Sequence, residues 1–212
     1  HAEYFGMGYA PKGGHVLRDH LLAQGFTPQV LVASGLVRDS GWDFFQGRVL
    51  WPIKDSAASV LGFGARRVWG DDRMPAKYVN TPETPVYKKS HVLYGLDLAR
   101  TNIGKKNQVV VVEGYTDVMA MHVAGIDTAV ASCGTAFGPE HAHLVQRLMG
   151  NRGALNGEVI FTFDGAAAGR SAALKAYRDD EEFTSQTYVA VEPNGLDPCD
   201  LRMQEGDCLL YT

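Results

Sequence analysis

Acidic side chains follow three of the β-strands that the sequence predicts, at the point where each strand ends. Glu113 comes directly after an apolar β-branched run, and Asp164 comes directly after a second apolar run. Asp197 and Asp200 lie in the loop after a third such run. In a parallel sheet the reactive groups gather at the carboxyl ends of the strands, so neighbouring strands would bring these carboxylates together. Converging carboxylates repel one another unless a hard cation neutralises them, and oxygen donors of this kind suit Mg²⁺ or Mn²⁺.

A site of this kind can bind one or two ions that activate a hydroxyl group and stabilise an in-line displacement at phosphorus. A single acid at a strand end has a simpler interpretation, because such a residue often caps the helix that follows. Three acids at successive strand ends favour the metal site over helix capping. The sequence therefore predicts divalent-cation chemistry at one edge of a sheet.

The elements that position these acids follow one another in a regular order in the second half of the chain. Apolar strands alternate with segments of helical periodicity, and the connections between them are short. This alternation predicts a parallel sheet covered by helices. The predicted strands span 108–112, 128–132, 159–163 and 187–191, and the predicted helices span 116–124, 139–149 and 166–177.

The first half of the chain follows a different pattern. It begins with short helices and turns, and helices are expected at 15–24 and 28–34. Two strands around a polar turn, at 49–53 and 59–66, predict a hairpin. Pro and Gly residues beyond it indicate loops packed against a small mixed sheet. The stretch 100–107 is expected to be a linker between the two halves.

Charge is distributed unevenly along the chain, although the net charge is only −4. Between Arg48 and Lys89 there are eight Lys or Arg residues against four Asp or Glu residues, a local charge of +4. From Arg178 to the end there are two against nine, a local charge of −7. A basic region beside a carboxylate-rich one suits a protein that holds a polyanion together with metal ions, and two solvated faces are the simpler alternative.

Composition excludes several classes of protein. The 212 residues are 45% hydrophobic and 21% charged, which excludes wholesale disorder, collagen-like repeats and coiled-coil rods. No apolar run reaches the roughly 18 residues that a membrane span requires, and the first residues lack the basic start and apolar stretch of a secretory signal. Three cysteines without a CxxC pair favour a reducing compartment.

The acidic motifs resemble those of a known family. The segments 113–117 (Glu-Gly-Tyr-Thr-Asp), 164–165 (Asp-Gly) and 197–198 (Asp-Pro) are similar to the TOPRIM domain that primases, topoisomerases and some nucleases share. The preceding half resembles the catalytic core of DnaG-type bacterial primases, and its most specific part is Lys-Tyr-Val-Asn-Thr-Pro-Glu-Thr at 77–84, which other TOPRIM proteins lack. The remaining segments that carry the resemblance are 48–53, 62–66 and 93–96.

The resemblance implies an α/β fold of two parts. A TOPRIM subdomain, with a parallel sheet flanked by helices, would span 108–206. A smaller mixed α+β basic N-terminal subdomain would span 1–107, and a short tail would occupy 207–212.

The implied function is DNA-directed synthesis of RNA primers at replication, by metal-dependent nucleotidyl transfer in a groove between the two subdomains. The implied partners are a single-stranded DNA template, ribonucleoside triphosphates and the RNA–DNA hybrid, at the replisome in the bacterial cytoplasm. The replicative helicase would be bound only through a C-terminal domain that we expect to lie outside this chain, and no contact with a membrane is expected. No zinc site is expected either, because the histidines and cysteines lack zinc-finger spacing.

The same resemblance assigns roles to individual residues. Glu113 matches the catalytic glutamate of the family, and Asp164 matches the first aspartate of its Asp-x-Asp metal motif. Asp197 and Asp117 match further acids of the metal site. The residues expected to contact nucleic acid or nucleotide are Arg48, Arg66, Lys77, Tyr78, Asn80 and Lys89.

Two departures from the family pattern leave alternatives open. Ala166 stands where the family has the second aspartate of its metal motif, so the affinity for at least one ion should fall. Cys199 stands where the family often has an acid, with Asp200 beside it. The alternatives to primer synthesis are another TOPRIM enzyme, a topoisomerase or nuclease, and a catalytically weakened module that only binds nucleic acid.

Overall fold

The computed structural model describes residues 1–72, 74–150, 157–163 and 186–207. Packing divides the chain into two compact units. Unit 1 comprises residues 1–53 and 59–89, and unit 2 comprises residues 54–58 and those from 90 onward. The boundaries predicted from the sequence, which concern functional subdomains, stay predictions.

Unit 1 is built on a sheet of four strands in the order β1-β2-β3-β4. β1 runs antiparallel to β2, and β3 runs antiparallel to β4. The helix α1 precedes α2, which starts at Pro28 behind the capping hydroxyl of Thr27. The bounds are β1 Gly8–Ala10, α1 Val16–Ala23, α2 Pro28–Ala33, β2 Arg48–Lys54, β3 Val60–Arg67 and β4 Tyr78–Asn80.

The predicted hairpin is confirmed, because β2 and β3 are neighbours in this sheet. Trp51 and Ile53 alternate along β2 and are both buried. The strand β1 was not predicted, since its aromatic and glycine-rich sequence indicates a turn. It is a strand because its backbone pairs with β2, with Tyr9 opposite Val49.

Unit 2 contains a parallel sheet in the order β6-β5-β7-β8. The central strand β5 is apolar along its length, and all four of its valines are buried, as expected for a strand covered on both faces. The predicted fold class, an α/β chain with this parallel sheet and a smaller mixed part, is confirmed. The bounds are β5 Gln108–Val112, β6 Ala129–Ala131, β7 Glu158–Phe163 and β8 Gln186–Val191.

Four helices of unit 2 lie within the described residues, namely α3 Leu96–Lys106, α4 Tyr115–Val123, α5 Pro139–Met149 and α6 Pro198–Glu205. The prediction of a linker at 100–107 was wrong, because α3 runs through most of it. The cause is an apolar stripe: Leu96, Ala99 and Ile103 are spaced for one helical face and are fully buried in the core. Lys105 and Lys106 only mark the exposed end of the same helix.

The turn into α3 requires glycine. Gly95 has a φ of +83°, and a Cβ atom there would lie 2.9 Å from Cγ1 of Val118. The predicted helix at 166–177 lies outside the described residues. Within the described part of the chain, no helix is long and apolar enough to cross a bilayer.

Candidate functional site

Two of the predicted acids flank the turn between β5 and α4. Glu113 directly follows β5 and is exposed, whereas Asp117 lies in the first turn of α4 and is buried. The Oδ2 atom of Asp117 accepts a hydrogen bond from the backbone N–H of Gly114 at 2.9 Å. This bond fixes the start of α4 directly after the strand end, as a capping interaction does.

A third predicted acid, Asp197, lies between β8 and α6. Asp197 is the N-cap residue of α6, and its Oδ1 atom accepts a hydrogen bond from the backbone N–H of Asp200 at 2.7 Å. The helices α4 and α6 pack against each other. The backbone of Cys199, in the first turn of α6, lies near Asp117 and lowers its pKa.

The electrostatics show that these three carboxylates interact. Burial is the largest cause that raises the pKa of Asp117, and the charges of Asp197 and Glu113 raise it further. The hydrogen bond from Gly114 and the nearby backbone of Cys199 oppose the shift, and the resulting pKa of Asp117 is about 7. Asp117 therefore lies near enough to Asp197 and Glu113 for their charges to affect its pKa, while Asp164 lies outside the described residues.

The donor chemistry of this acidic site fits a divalent cation. The Oδ1 atom of Asp117 is buried and has no hydrogen-bond partner among the described residues. A buried carboxylate oxygen without a partner, beside two further carboxylates, is the hard oxygen environment that Mg²⁺ or Mn²⁺ prefers. Within the described ranges, however, no three His, Cys, Asp or Glu side chains by themselves form a metal-binding group.

A basic and aromatic cluster lies on the β3–β4 pair of unit 1. Arg66 is opposite Tyr78 in the antiparallel register. The guanidinium carbon of Arg66 lies 5.6 Å from the centre of the Tyr78 ring, and Nζ of Lys77 lies 5.9 Å from it. Two cations held beside one aromatic ring form a surface that suits phosphate and base contacts.

The other predicted contacts in unit 1 lie beside this cluster or on a separate turn. Asn80 is two residues further along β4, opposite Gly64. Lys89 begins a 3₁₀ turn, and its backbone N–H donates to Oε1 of Glu83 at 3.0 Å. Arg66, Lys77 and Tyr78 thus lie next to one another, whereas Lys89 lies on a separate turn.

Arg48 is not placed to contact a ligand, and this part of the predicted interface needs correction. Its side chain is fully buried, and Nε donates to Oδ2 of Asp72 at 2.6 Å. Its Nη2 atom donates to the carbonyl oxygens of Met74 and Ala76, each at 3.0 Å. A guanidinium that satisfies internal acceptors in this way holds Asp72, Met74 and Ala76 in place.

Two histidines and the buried cysteine of unit 2 contribute to its packing. A ring nitrogen of His122 lies 2.9 Å from the carbonyl oxygen of Ala129, and a ring nitrogen of His141 accepts from the N–H of Gly138. Burial raises the pKa of the Cys133 thiol well above its usual range, which keeps it protonated and unreactive. These side chains therefore serve the packing of unit 2.

One feature of unit 1 was missed by the sequence reasoning. A cavity of about 560 Å³ is lined by two exposed tryptophans, Trp42 and Trp69, together with Lys12 and Arg38. The sequence carried no local signal for it, because Lys12, Trp42 and Trp69 are far apart along the chain.

Comparison with known proteins places both halves of the chain. Residues 1–100 match the family model described as the DNA primase catalytic core, N-terminal domain, and residues 107–191 match that of the Toprim domain. The DNA primase of Mycobacterium tuberculosis is 55% identical over 212 residues, which cover 99% of this chain and 33% of that protein. This chain therefore spans about a third of the length of the curated relatives that it matches.

Solved structures agree with these matches. The crystal structure of the RNA polymerase domain of the Mycobacterium tuberculosis primase DnaG superposes with a TM-score of 0.93 at 55% identity, covering 99% of this chain and 69% of that one. The same domain in complex with a double-stranded DNA oligomer with a 6-nucleotide overhang gives a TM-score of 0.91 at 55% identity, covering 99% and 66%. With both family models matched in order, and with almost all of this chain matched to the RNA polymerase domain of a primase, the chain belongs to the DnaG-type DNA primase family.

Proposed function

We propose that this chain is the catalytic part of a DNA primase, which adds ribonucleotides to an RNA primer along a single-stranded DNA template. The observation that supports the proposal most directly is the meeting of Glu113, Asp117 and Asp197 at the carboxyl end of a parallel sheet. Members of this family and Toprim domains in general use a divalent metal ion. We take that ion to be Mg²⁺ or Mn²⁺, because the donors are carboxylate oxygens.

The exposed acid and the less exposed acids would have different roles in the reaction. Glu113 is exposed at the end of β5, where its carboxylate would accept the proton of the 3′-hydroxyl group of the primer. The buried Asp117 and the N-cap residue Asp197 would hold the cation, and Asp164 would complete the set of ligands. When bound, the ion supplies charge neutralisation at the reacting phosphate and makes the hydroxyl more acidic.

The basic cluster would hold the nucleic acid. Arg66 can donate to a phosphate with two parallel N–H groups, Lys77 supplies a point charge, and Tyr78 offers a ring face to a base. Asn80 and Lys89 would contact the incoming ribonucleoside triphosphate or the RNA–DNA hybrid. The relative from Mycobacterium tuberculosis was crystallised with a DNA oligomer that has a single-stranded overhang, which supports this ligand class.

The proposed domain boundaries, cellular location and helicase contact are inferred from the family. The boundaries at residues 107 and 206 are proposed to separate the basic subdomain, the catalytic subdomain and the tail. The proposed location is the replisome in the bacterial cytoplasm, and the helicase would be contacted through a separate C-terminal domain.

The decisive experiment measures extension of an annealed RNA primer on a single-stranded DNA template, with ribonucleoside triphosphates and Mg²⁺. Extension does not require initiation, so it suits a chain that spans a third of its relatives. Glu113→Gln should reduce the extension rate by at least about 100-fold, which is the lower range for loss of a general base, while template binding stays unchanged. The matched control is Glu140→Gln, which removes an exposed carboxylate in the first turn of α5.

Other outcomes would contradict the proposal. Cleavage of DNA by the unaltered chain in Mg²⁺ without ribonucleotides would indicate a nuclease or a topoisomerase. Template binding without any extension, in the unaltered chain and equally in the Ala166→Asp variant, would indicate a module that only binds nucleic acid. Unchanged extension by Glu113→Gln would remove the assigned role of that residue.

A further inference from the structure

Tyr94 is attached to the carboxyl end of the parallel sheet, where the acidic site lies, although the proposed chemistry assigns it no role. Its backbone N–H donates to the carbonyl oxygen of Ala131 at 2.8 Å, and its own carbonyl oxygen accepts from the N–H of Ala131 at 3.0 Å. Ala131 in turn is opposite Val112, the last residue of β5, in the parallel register. Tyr94 is thus fixed at the level of the sheet where β5 ends and Glu113 follows.

The ring of Tyr94 packs against the first residue of α4. Its centre lies 4.7 Å from the centre of the Tyr115 ring, and the two planes meet at 70°, which is the edge-to-face arrangement that aromatic pairs prefer. Both residues are buried. Tyr115 lies midway between Glu113 and Asp117 in the sequence, so two large rings packed in this way restrict the movement of the turn that carries both acids.

The residue after Tyr94 lies equally close to α4. A Cβ atom at Gly95 would lie 2.9 Å from Cγ1 of Val118, the residue that follows Asp117. The backbone of this segment therefore lies directly against the side chain of the helix. Tyr94 and Gly95 thus contact α4 at two points in its first turn, Tyr115 and Val118.

The buried thiol of Cys133 lies close to the same residues. Burial is the largest cause that raises the pKa of Cys133, Tyr115 lowers it, and the charge of Asp117 raises it further. Burial is likewise the largest cause that raises the pKa of Tyr94, and Cys133 is the second. Cys133 is therefore near Tyr94, Tyr115 and Asp117 alike, and all four residues are buried. They form one buried group that includes a carboxylate of the acidic site.

The hydroxyl group of Tyr94 does not explain why a tyrosine occupies this position. Its oxygen atom is buried and has no hydrogen-bond partner among the described residues. A buried hydroxyl group without a partner destabilises the folded state, so the favourable contribution of Tyr94 comes from its ring. Phenylalanine would keep the ring and remove the unpaired hydroxyl group.

We propose that Tyr94 is a positioning residue for the acidic site, because its ring holds Tyr115 and thereby fixes Glu113 and Asp117 relative to each other. Its role is to keep the turn between β5 and α4 rigid, as the residues that support metal ligands do. The inference rests on the proposed function for the identity of the site. It concerns the binding of a divalent cation alone, and it does not require that the chain extends a primer.

The first test measures the dissociation constant of the whole chain for Mn²⁺ by isothermal titration calorimetry, without nucleotides or DNA. Tyr94→Leu removes the ring and should raise this constant by about 10- to 100-fold, the range for loss of a residue that supports metal ligands. Tyr94→Phe keeps the ring and should leave the constant unchanged. Its melting temperature should not fall, because the lost hydroxyl group has no partner among the described residues.

The second test needs no metal ion. The backbone N–H of Gly114 donates to Oδ2 of Asp117 at 2.9 Å, so its exchange with solvent reports the opening of this turn. Tyr94→Leu should speed this exchange by about 2- to 12-fold, which corresponds to the loss of one aromatic pair. Tyr94→Phe should not change the rate, as measured by nuclear magnetic resonance.

The matched control is Met149→Ala, which removes a buried side chain from the core of the same unit. Met149 is the last residue of α5, and this helix starts after β6 and ends before β7, so it ends at the edge of the sheet opposite the acidic site. The control should lower the melting temperature, followed by circular dichroism, but should leave both the Mn²⁺ affinity and the exchange of Gly114 unchanged. If Tyr94→Leu does not fold, Tyr94→Met replaces it, because methionine also lacks the ring and fills more of the volume.

Three outcomes separate the inference from its alternatives. If Tyr94→Leu matches Met149→Ala in both measurements, Tyr94 serves only the packing of unit 2 and the inference is wrong. If Tyr94→Phe loses as much Mn²⁺ affinity as Tyr94→Leu, the role belongs to the hydroxyl group, which also overturns the inference. If the parent binds Mn²⁺ and depends on Tyr94 as expected but extends no primer, the proposed function is contradicted and the inference stands.

Discussion

The Nε atom of Arg48 lies 2.6 Å from Oδ2 of Asp72, and the arginine side chain is fully buried. The same guanidinium binds the carbonyl oxygens of Met74 and Ala76. Arg48 thereby fixes the segment that leads into Lys77 and Tyr78, so a residue expected to contact DNA instead supports the residues that we propose do so.

Replacing Arg48 by methionine should lower the free energy of unfolding by about 3–5 kcal/mol, because the partly buried carboxylate of Asp72 and the carbonyl oxygens of Met74 and Ala76 would all lose their partner. Urea denaturation followed by circular dichroism measures the change. Arg67→Met is the matched control, since the Arg67 side chain is exposed, donates to the carbonyl oxygen of Pro75 and has the smallest of the charge effects that lower the pKa of Asp72. The control should stay within about 0.5 kcal/mol of the parent, and an equal loss in both variants would contradict the structural role of Arg48.

The raised pKa of Asp117 predicts a pH dependence of stability without divalent ions. The folded-state pKa is about 7, and the unfolded value is about 4. The folded state therefore holds an additional proton between these values, and its stability declines as pH rises from about 4 to about 7 and is constant above. The loss is roughly 4 kcal/mol, from 1.4 kcal/mol per pKa unit.

Chemical denaturation between about pH 5 and pH 8 in a chelator measures this decline. Asp117→Asn should remove it, because the amide keeps the acceptor for Gly114 and carries no charge. Asp200→Asn, an exposed carboxylate of the neighbouring helix, should leave it intact. Adding Mg²⁺ should restore stability at pH 8 in the parent more than in Asp117→Asn, and equal pH dependence in the parent and Asp117→Asn would show that a raised pKa of Asp117 is not the cause of the decline.

The basic cluster predicts the salt dependence of template binding. Arg66→Gln and Lys77→Gln should each lower the slope of log affinity against log salt by about 0.7, because each removes one phosphate contact on a single strand. Tyr78→Phe should leave the slope unchanged, since the ring face next to both cations remains. Fluorescence anisotropy over a range of salt concentrations measures the slopes. Lys105→Gln, at the exposed end of α3, is the control, and a slope reduced to the same extent by this variant would rule out a specific cluster.

The helix α3 is predicted to contribute to the core of unit 2. Ile103 is fully buried among Leu93, Val109 and Val145. Ile103→Ala should lower the free energy of unfolding by about 2–5 kcal/mol, because it removes buried methyl groups and leaves a cavity. Thr101→Ala, on the exposed face of the same helix, should cost less than about 0.5 kcal/mol. Similar losses in the two variants, measured by urea denaturation, would mean that the segment is the linker that its polar composition indicates.

The predicted and observed elements differ where a local pattern is weak. β5 was predicted because its run of β-branched apolar residues is typical of a strand buried on both faces of a parallel sheet. The helix α3 was missed because Arg100, Gly104 and two lysines obscure a narrow apolar stripe. β1 was missed because its strand geometry comes from the partner β2 and not from its own residues.

By itself the sequence determined the four strands of unit 2, the helices α4 and α5 between them and the acids that follow the strands, because apolar periodicity and strand ends are local properties. Only the tertiary structure decided which of those acids interact, that Arg48 is buried with Asp72, and that two tryptophans line one cavity. These relationships depend on distances between residues far apart in the chain. Burial and charge pairing therefore arise only when the elements pack, and no spacing within the sequence encodes them directly.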